Sequence, residues 1–93
     1  MRLQIRIAVT SDFSPGNRGH LAANEALRHS AAALNLDVIG DWLPTASTAT
    51  HIGVGRLRSY DGVFSAGGAY TDKPGALAAI RFAREQGWPF FGT

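Results

Sequence analysis

The feature that most narrows the choice of folds is an alternation, repeated within 93 residues, between short apolar runs of strand character and longer stretches with helical spacing. Residues 3–10, LQIRIAVT, place Leu3, Ile5 and Ile7 at every second position. They then turn wholly apolar at Ile7, Ala8 and Val9, the pattern of a strand entering a covered sheet. Residues 11–19, SDFSPGNRG, are rich in turn formers and read as a loop. A helix is expected to start at Asn17 or Gly19 and to end at Leu34, with Leu21, Leu27, Ala31 and Leu34 as its apolar stripe and Asn35 as its stop.

The second half repeats the scheme. Residues 36–44, LDVIGDWLP, contain a strand around Val38 and Ile39 that Pro44 closes, and residues 45–55 follow as a loop or short helix. Val63 and Phe64 form a short buried strand that runs into Gly67-Gly68. A helix over Lys73–Gln86 has Thr71 or Asp72 as its cap, Pro74 in its first turn, Leu77, Ile80 and Ala83 or Arg84 on its faces, and Gly87 at its end. Residues 88–92 read as a fourth strand. This order implies one α/β domain over residues 1–93, with a parallel sheet of about four strands, right-handed crossovers and helices on both faces. That is a flavodoxin-like or Rossmann-like three-layer arrangement.

Composition bounds the chemistry. With 45% hydrophobic and 17% charged residues the chain is far from a disordered composition, and a core of modest size is expected. There is no cysteine, so the 93 residues hold no disulfide, thiolate cluster or thiol nucleophile. His20, His29 and His51 are too dispersed for a metal site, with His20 and His29 expected on a helix surface, and nothing calls for a cofactor. The net charge of +2 comes from scattered residues (Arg2, Arg6, Arg18, Arg28, Arg56, Arg58, Lys73, Arg81, Arg84), without interleaved aromatic platforms, which argues against nucleic acid. Arg81 can reach Glu85 at the i,i+4 spacing. No apolar run approaches the ~20 residues of a membrane span, and MRLQIRIAVTSD lacks the features of a signal peptide, so a cytoplasmic location is expected.

In a doubly wound sheet, ligands bind beyond the carboxyl ends of the strands, which singles out residues 11–19, 45–55 and 67–75. Ser11, Asp12 and Ser14 precede a helix start, where a small anion can bind. Since neither G-x-G-x-x-G nor G-x-x-x-x-G-K-[ST] is present, the loop reads first as a turn with capping residues, and second as a phosphate site. Gly53 and Gly55 read as loop flexibility, and Trp42, Trp88, Phe90 and Phe91 as core. The closing GWPFFGT is an apolar strand without a polar tail, which raises the expectation that more chain follows. Phe90 and Phe91 would face opposite ways from an edge strand, so a homo-oligomer through Trp88, Phe90 and Phe91 is expected.

YDGVFSAGG, residues 60–68, and ALAAIRFAREQGWPFFGT, residues 76–93, together resemble the glutamine amidotransferase domain at the C-terminal end of CTP synthase, a class I, triad-type amidotransferase. They are more similar still to its stand-alone CTP-synthase-like relatives. In that family a Tyr-Asp-Gly, apolar strand, Gly-Gly segment precedes a helix containing Ala-Arg-Glu, and a Pro-Phe-apolar-Gly strand leads into the catalytic cysteine. The resemblance implies that the backbone N–H groups of Gly67 and Gly68 meet a developing oxyanion, and that Gly92 and Thr93 lead into the nucleophile elbow. It also implies a Cys or selenocysteine nucleophile directly after Thr93, with His and acidic partners further on. Ala66 stands where the family often has Pro. Ala69 stands where CTP synthases have an aromatic residue against bound glutamine, which makes Ala69 and its neighbour Tyr70 candidates for ligand contact. The implied function is the N-terminal half of such a domain, inactive as it stands. The alternative is a small non-catalytic binding or regulatory module on a flavodoxin-like half-sheet.

Overall fold

Every strand in the sheet runs parallel, as the alternation requires. In the computed structural model, which describes residues 3–66 and 70–92, β1 (Gln4–Thr10), β2 (Asp37–Leu43), β3 (Gly62–Ser65) and β4 (Phe90–Gly92) lie in the order β2-β1-β3-β4. β1 pairs with β2 from Gln4 opposite Asp37 to Thr10 opposite Leu43, and with β3 from Ile7 opposite Gly62 to Val9 opposite Phe64. β4 adds to the free side of β3, with Ser65 opposite Gly92.

Successive side chains point to opposite faces, and this period of two divides the core. Val9 and Phe64 pack with Ala23, Ala66, Leu27 and Trp42 beneath α1 (Arg18–Leu34). Ala8 and Val63 pack on the other face with Leu57, Ala79, Phe82 and Ala83, beneath α3 (Lys73–Gln86). The three layers follow from this division.

Both long helices begin and end where the capping chemistry places them. Asn17 Oδ1 accepts the N–H groups of Gly19 and His20 at 2.8 and 3.2 Å, and Asn35 closes α1 in the left-handed region at φ 55°. Asp72 Oδ1 accepts the Gly75 N–H at 2.8 Å, and Gly87 ends α3 at φ 69°. The apolar stripes agree with expectation at Leu27, which packs on the core, and at Ala83, which is buried, and differ elsewhere. Leu21, Leu34 and Leu77 are exposed, and the buried positions are His20 and Ala23 in α1 and Ala76, Ala79, Phe82 and Ala83 in α3. The alanines let the helices approach a sheet already filled by Val9, Phe64 and Val63, and Phe82 and Leu27 fill the space beside them.

Residues 45–59 form three short helical turns, broken at Ala49 and Thr50: a 3-10 turn at Thr45–Thr48, α2 (His51–Gly55) and a second 3-10 turn at Arg56–Ser59. Of the two readings of residues 45–55, the short helix is the one that forms. The sequence has weak helix propensity, and tertiary caps supply the order: Thr50 Oγ1 accepts the Gly53 N–H at 2.9 Å. Gly53 is no flexible loop residue, because a Cβ there would stand 1.8 Å from the Ser47 carbonyl oxygen.

Two further expectations are corrected. His20 is 2% exposed rather than on the helix surface, because the first turn of α1 folds it against Phe13 and Trp42, and its Nδ1 accepts the Ser14 N–H at 3.1 Å. Phe90 and Phe91 are exposed rather than core, at 42% and 62%. β4 is an edge strand of only three residues, and among the described residues no helix covers it on the α1 side. What lies there is an apolar hollow of about 400 Å³ against Ile7, Leu27, Phe64 and Pro89. Trp88 precedes β4 instead of belonging to it, packing on Phe82 while its indole N–H donates to the Tyr60 carbonyl at 2.7 Å. Arg81 and Glu85 form no ion pair among the described residues. No helix of the described residues is long and apolar enough to cross a membrane.

Candidate functional site at the carboxyl ends of the strands

The chain leaves β1 with Thr10, Ser11 and Asp12, and parallel pairing brings these residues to the edge of the sheet where β3 and β4 also end. Ser11 is fully buried, and its Oγ accepts the Ala66 N–H at 2.9 Å, which holds the exit of β3 against the exit of β1. Asp12 reaches further. Its Oδ1 accepts the Thr45 N–H at 2.9 Å, and its Oδ2 accepts the Thr45 hydroxyl at 2.7 Å and the Thr71 N–H at 2.9 Å. Burial acts to raise the Asp12 pKa, but the bonds from Thr71 and Thr45 outweigh it and hold the carboxyl below its ordinary range. The group is therefore an anion at neutral pH.

Thr45 extends the connection. It is fully buried, its Oγ1 accepts the Asp72 N–H at 3.0 Å, and it lies 3.4 Å from the Thr71 hydroxyl. Thr48, also buried, directs its hydroxyl to the carbonyls of Gly75, at 2.7 Å, and of Thr45, at 3.1 Å. Gly75 makes this approach feasible, since a Cβ there would lie 1.8 Å from the Thr45 oxygen. One carboxylate and two threonines thus tie the end of β1, the turn after β2 and the start of α3 together.

The structure brings Ser11, Asp12, Tyr70 and Gly92 to the same edge. The Tyr70 hydroxyl lies 2.8 Å from Ser65 Oγ, and Gly92 is the ladder partner of Ser65. Ser14 sits apart, with an exposed side chain and its N–H committed to His20. Gly67, Gly68, Ala69 and Thr93 lie outside the described residues. The residues on either side of Gly67, Gly68 and Ala69 are anchored: Ala66 by Ser11, Tyr70 by Ser65 and Thr71 by Asp12. Thr10 Oγ1 is buried with no hydrogen-bond partner among the described residues. Sequence reasoning missed Thr45, Thr48 and Ser65. The available signal was position, since Thr45 follows the Pro44 that closes β2, at the same end of the sheet.

No group of three or more His, Cys, Asp or Glu residues among those described is arranged to hold a metal ion. The arrangement offers a rigid frame of hydroxyls and one anion around the ends of β1, β3 and β4.

No protein-family model matches the chain. Individual relatives do. It is 29% identical over 90 residues to the CTP synthase of Staphylococcus carnosus strain TM300, covering 96% of this chain and 17% of that protein. It is 33% identical over 90 residues to the CTP synthase of Synechococcus sp. strain JA-3-3Ab, covering 96% and 16%. For the CTP synthase of Thermococcus gammatolerans the figures are 32% over 90 residues, covering 96% and 17%. The chain therefore spans about a sixth of the length of the curated relatives it matches, and along nearly all of its own length it is homologous to a segment of CTP synthase.

Proposed function

We propose that these 93 residues are the N-terminal half of a class I glutamine amidotransferase domain of the CTP-synthase kind, and that the ligand of the completed site is glutamine. The observation that carries the reading is the similarity to CTP synthases over 96% of the chain, and the resemblance of YDGVFSAGG and ALAAIRFAREQGWPFFGT to the amidotransferase domain supports it. The anchoring of Ala66, Tyr70 and Thr71 supports it, because N–H groups that stabilise an oxyanion act best when their flanks need no reorganisation. On this reading Gly67 and Gly68 supply those groups, and Gly92 and Thr93 lead into the nucleophile. The charge on Asp12 favours a neutral side-chain amide over a small anion at residues 11–19.

Since the sequence contains no cysteine, this reading takes the thiol or selenol from residues outside it, and the family resemblance puts the His and acidic partners there as well. The 93-residue chain alone then releases no ammonia from glutamine above blank, and clear turnover would overturn the proposal. Reading the gene beyond codon 93 tests its other half. A continuing frame with a Cys or recoded UGA codon first, followed by His and Glu codons downstream, is expected; a different stop with no further frame counts against it. A thiol- or selenol-dependent enzyme of this type suits the reducing cytoplasm. The exposed Phe90 and Phe91 of the isolated chain are proposed to drive its self-association.

A further inference from the structure

Away from the carboxyl edge, the outer layer on the α3 side carries one-sided charge. The stretch formed by α2, the 3-10 turn Arg56–Ser59 and α3 holds Arg56, Arg58, Lys73, Arg81 and Arg84, five of the nine basic residues in the chain. The one carboxylate within it is Glu85; Asp61 and Asp72 flank it, the first accepting the Arg6 N–H at 2.8 Å and the second capping α3. A groove of about 380 Å³ runs between α2 and α3, with Val54, Ala78 and Phe82 as apolar lining, Arg58 and Arg81 as cationic lining, and His51 and Glu85 also at its wall.

The Arg58 guanidinium lies 5.2 Å from the Phe82 ring centroid and donates to Gln86 Oε1 at 3.3 Å. Both contacts are with uncharged groups, so they orient the cation without neutralising it. Arg81 is exposed and forms no ion pair among the described residues. On the same two helices Ile52 and Leu77 are exposed at 75% and 61%. Apolar lining, cations from both sides and outlying apolar side chains match one kind of occupant.

We infer that the groove between α2 and α3 docks an acidic amphipathic helix of a partner protein. Its carboxylates would meet Arg58 and Arg81, and its apolar stripe would lie along Val54, Ala78 and Leu77, in the helix-in-groove mode. Nucleic acid fits less well. The one aromatic ring in the groove is buried beneath Arg58 and presents no face for stacking.

The test is an NMR titration of the full 93-residue chain with a synthetic Glu/Leu peptide whose leucines keep the i, i+3, i+4, i+7 spacing. Amide shifts are expected at Val54, Arg58, Ala78 and Arg81, weakening with salt. Affinity should fall about tenfold for Arg81→Glu, whose exposed position leaves the fold intact. Arg58→Gln, which removes the charge, should also weaken binding. Four outcomes would overturn the inference: no shifts; equal shifts at Arg18 and Arg28 on α1; equal binding of a peptide with the same composition and scrambled leucines; or tighter binding of a single-stranded oligonucleotide in the same groove.

Discussion

Asp12 and Thr45 stand 33 positions apart in the chain, yet the carboxylate of one takes both the N–H of the other, at 2.9 Å, and its hydroxyl, at 2.7 Å. The same carboxylate takes the Thr71 N–H, so one side chain orders three segments that enter the carboxyl edge of the sheet. Charge-assisted bonds of this sort are stronger than neutral ones. Asp12→Ala should therefore cost about 2–3 kcal/mol in urea unfolding, with Asp12→Asn intermediate because it keeps one acceptor oxygen. The pH dependence follows from the lowered pKa. The unfolded chain takes up the proton first as pH falls, so the Asp12 contribution is complete well above its ordinary value of 3.8 and is lost as pH drops through and below it. Between pH 5 and pH 3 the stability of Asp12→Asn should fall less steeply than that of the natural chain (about one carboxylate fewer on the linkage slope). Equal slopes would remove Asp12 from this role.

Glycines in the helical wrap should separate sharply by position. A Cβ on Gly75 would lie 1.8 Å from the Thr45 carbonyl oxygen, and one on Gly53 the same distance from that of Ser47. Both contacts are with backbone, which cannot swing aside, so Gly75→Ala and Gly53→Ala should each cost more than about 3 kcal/mol or prevent folding. Gly55 has φ −63°, and a methyl group added there would meet no atom within 4 Å, so Gly55→Ala should stabilise by about 0.5–1 kcal/mol. Thermal unfolding of the three variants decides, and similar losses in all three would contradict the packing described.

Adjacent hydroxyls at the end of β1 should respond in opposite directions. Ser11 Oγ satisfies the buried Ala66 N–H, so Ser11→Ala orphans a donor and should cost about 1–2 kcal/mol. Thr10 Oγ1 is buried without a partner among the described residues, so Thr10→Val exchanges a desolvated hydroxyl for a methyl of the same shape. That change should be neutral or stabilising by up to about 1 kcal/mol. A loss at Thr10 as large as at Ser11, by urea titration, would show that the Thr10 hydroxyl has a role the described contacts lack.

The edge strand bears on self-association. Phe90 and Phe91 are exposed on β4, which among the described residues pairs only along β3, whereas Trp88 is turned inward onto Phe82. Light scattering should find the 93-residue chain associating as its concentration rises, and Phe91→Lys should shift it towards monomer, since a charge blunts an exposed edge. A monodisperse natural chain at high concentration would contradict this.

Much of the fold was legible locally. Asn17 and Asn35 bracket α1, Asp72 and Gly87 bracket α3, and the apolar runs at Ile7, Ala8, Val9, Val63 and Phe64 are the centre of the sheet, because caps and strand patterns depend on residues near in sequence. The buried faces of the helices were less legible. Leu21 and Leu77 look like core by hydrophobicity, but alanines win where a helix must lie close to a filled sheet.

By itself, then, the sequence determined an α/β chain with parallel pairing, two well-capped helices and no thiol chemistry of its own. Only the tertiary structure decided that His20 is buried, that residues 45–59 wind into helical turns, and that Asp12 serves as a structural acceptor for Thr45 and Thr71. The physical reason is range. A cap or a strand period is set within a few residues, whereas a buried hydrogen bond across 33 positions exists only once the sheet has brought its carboxyl ends together.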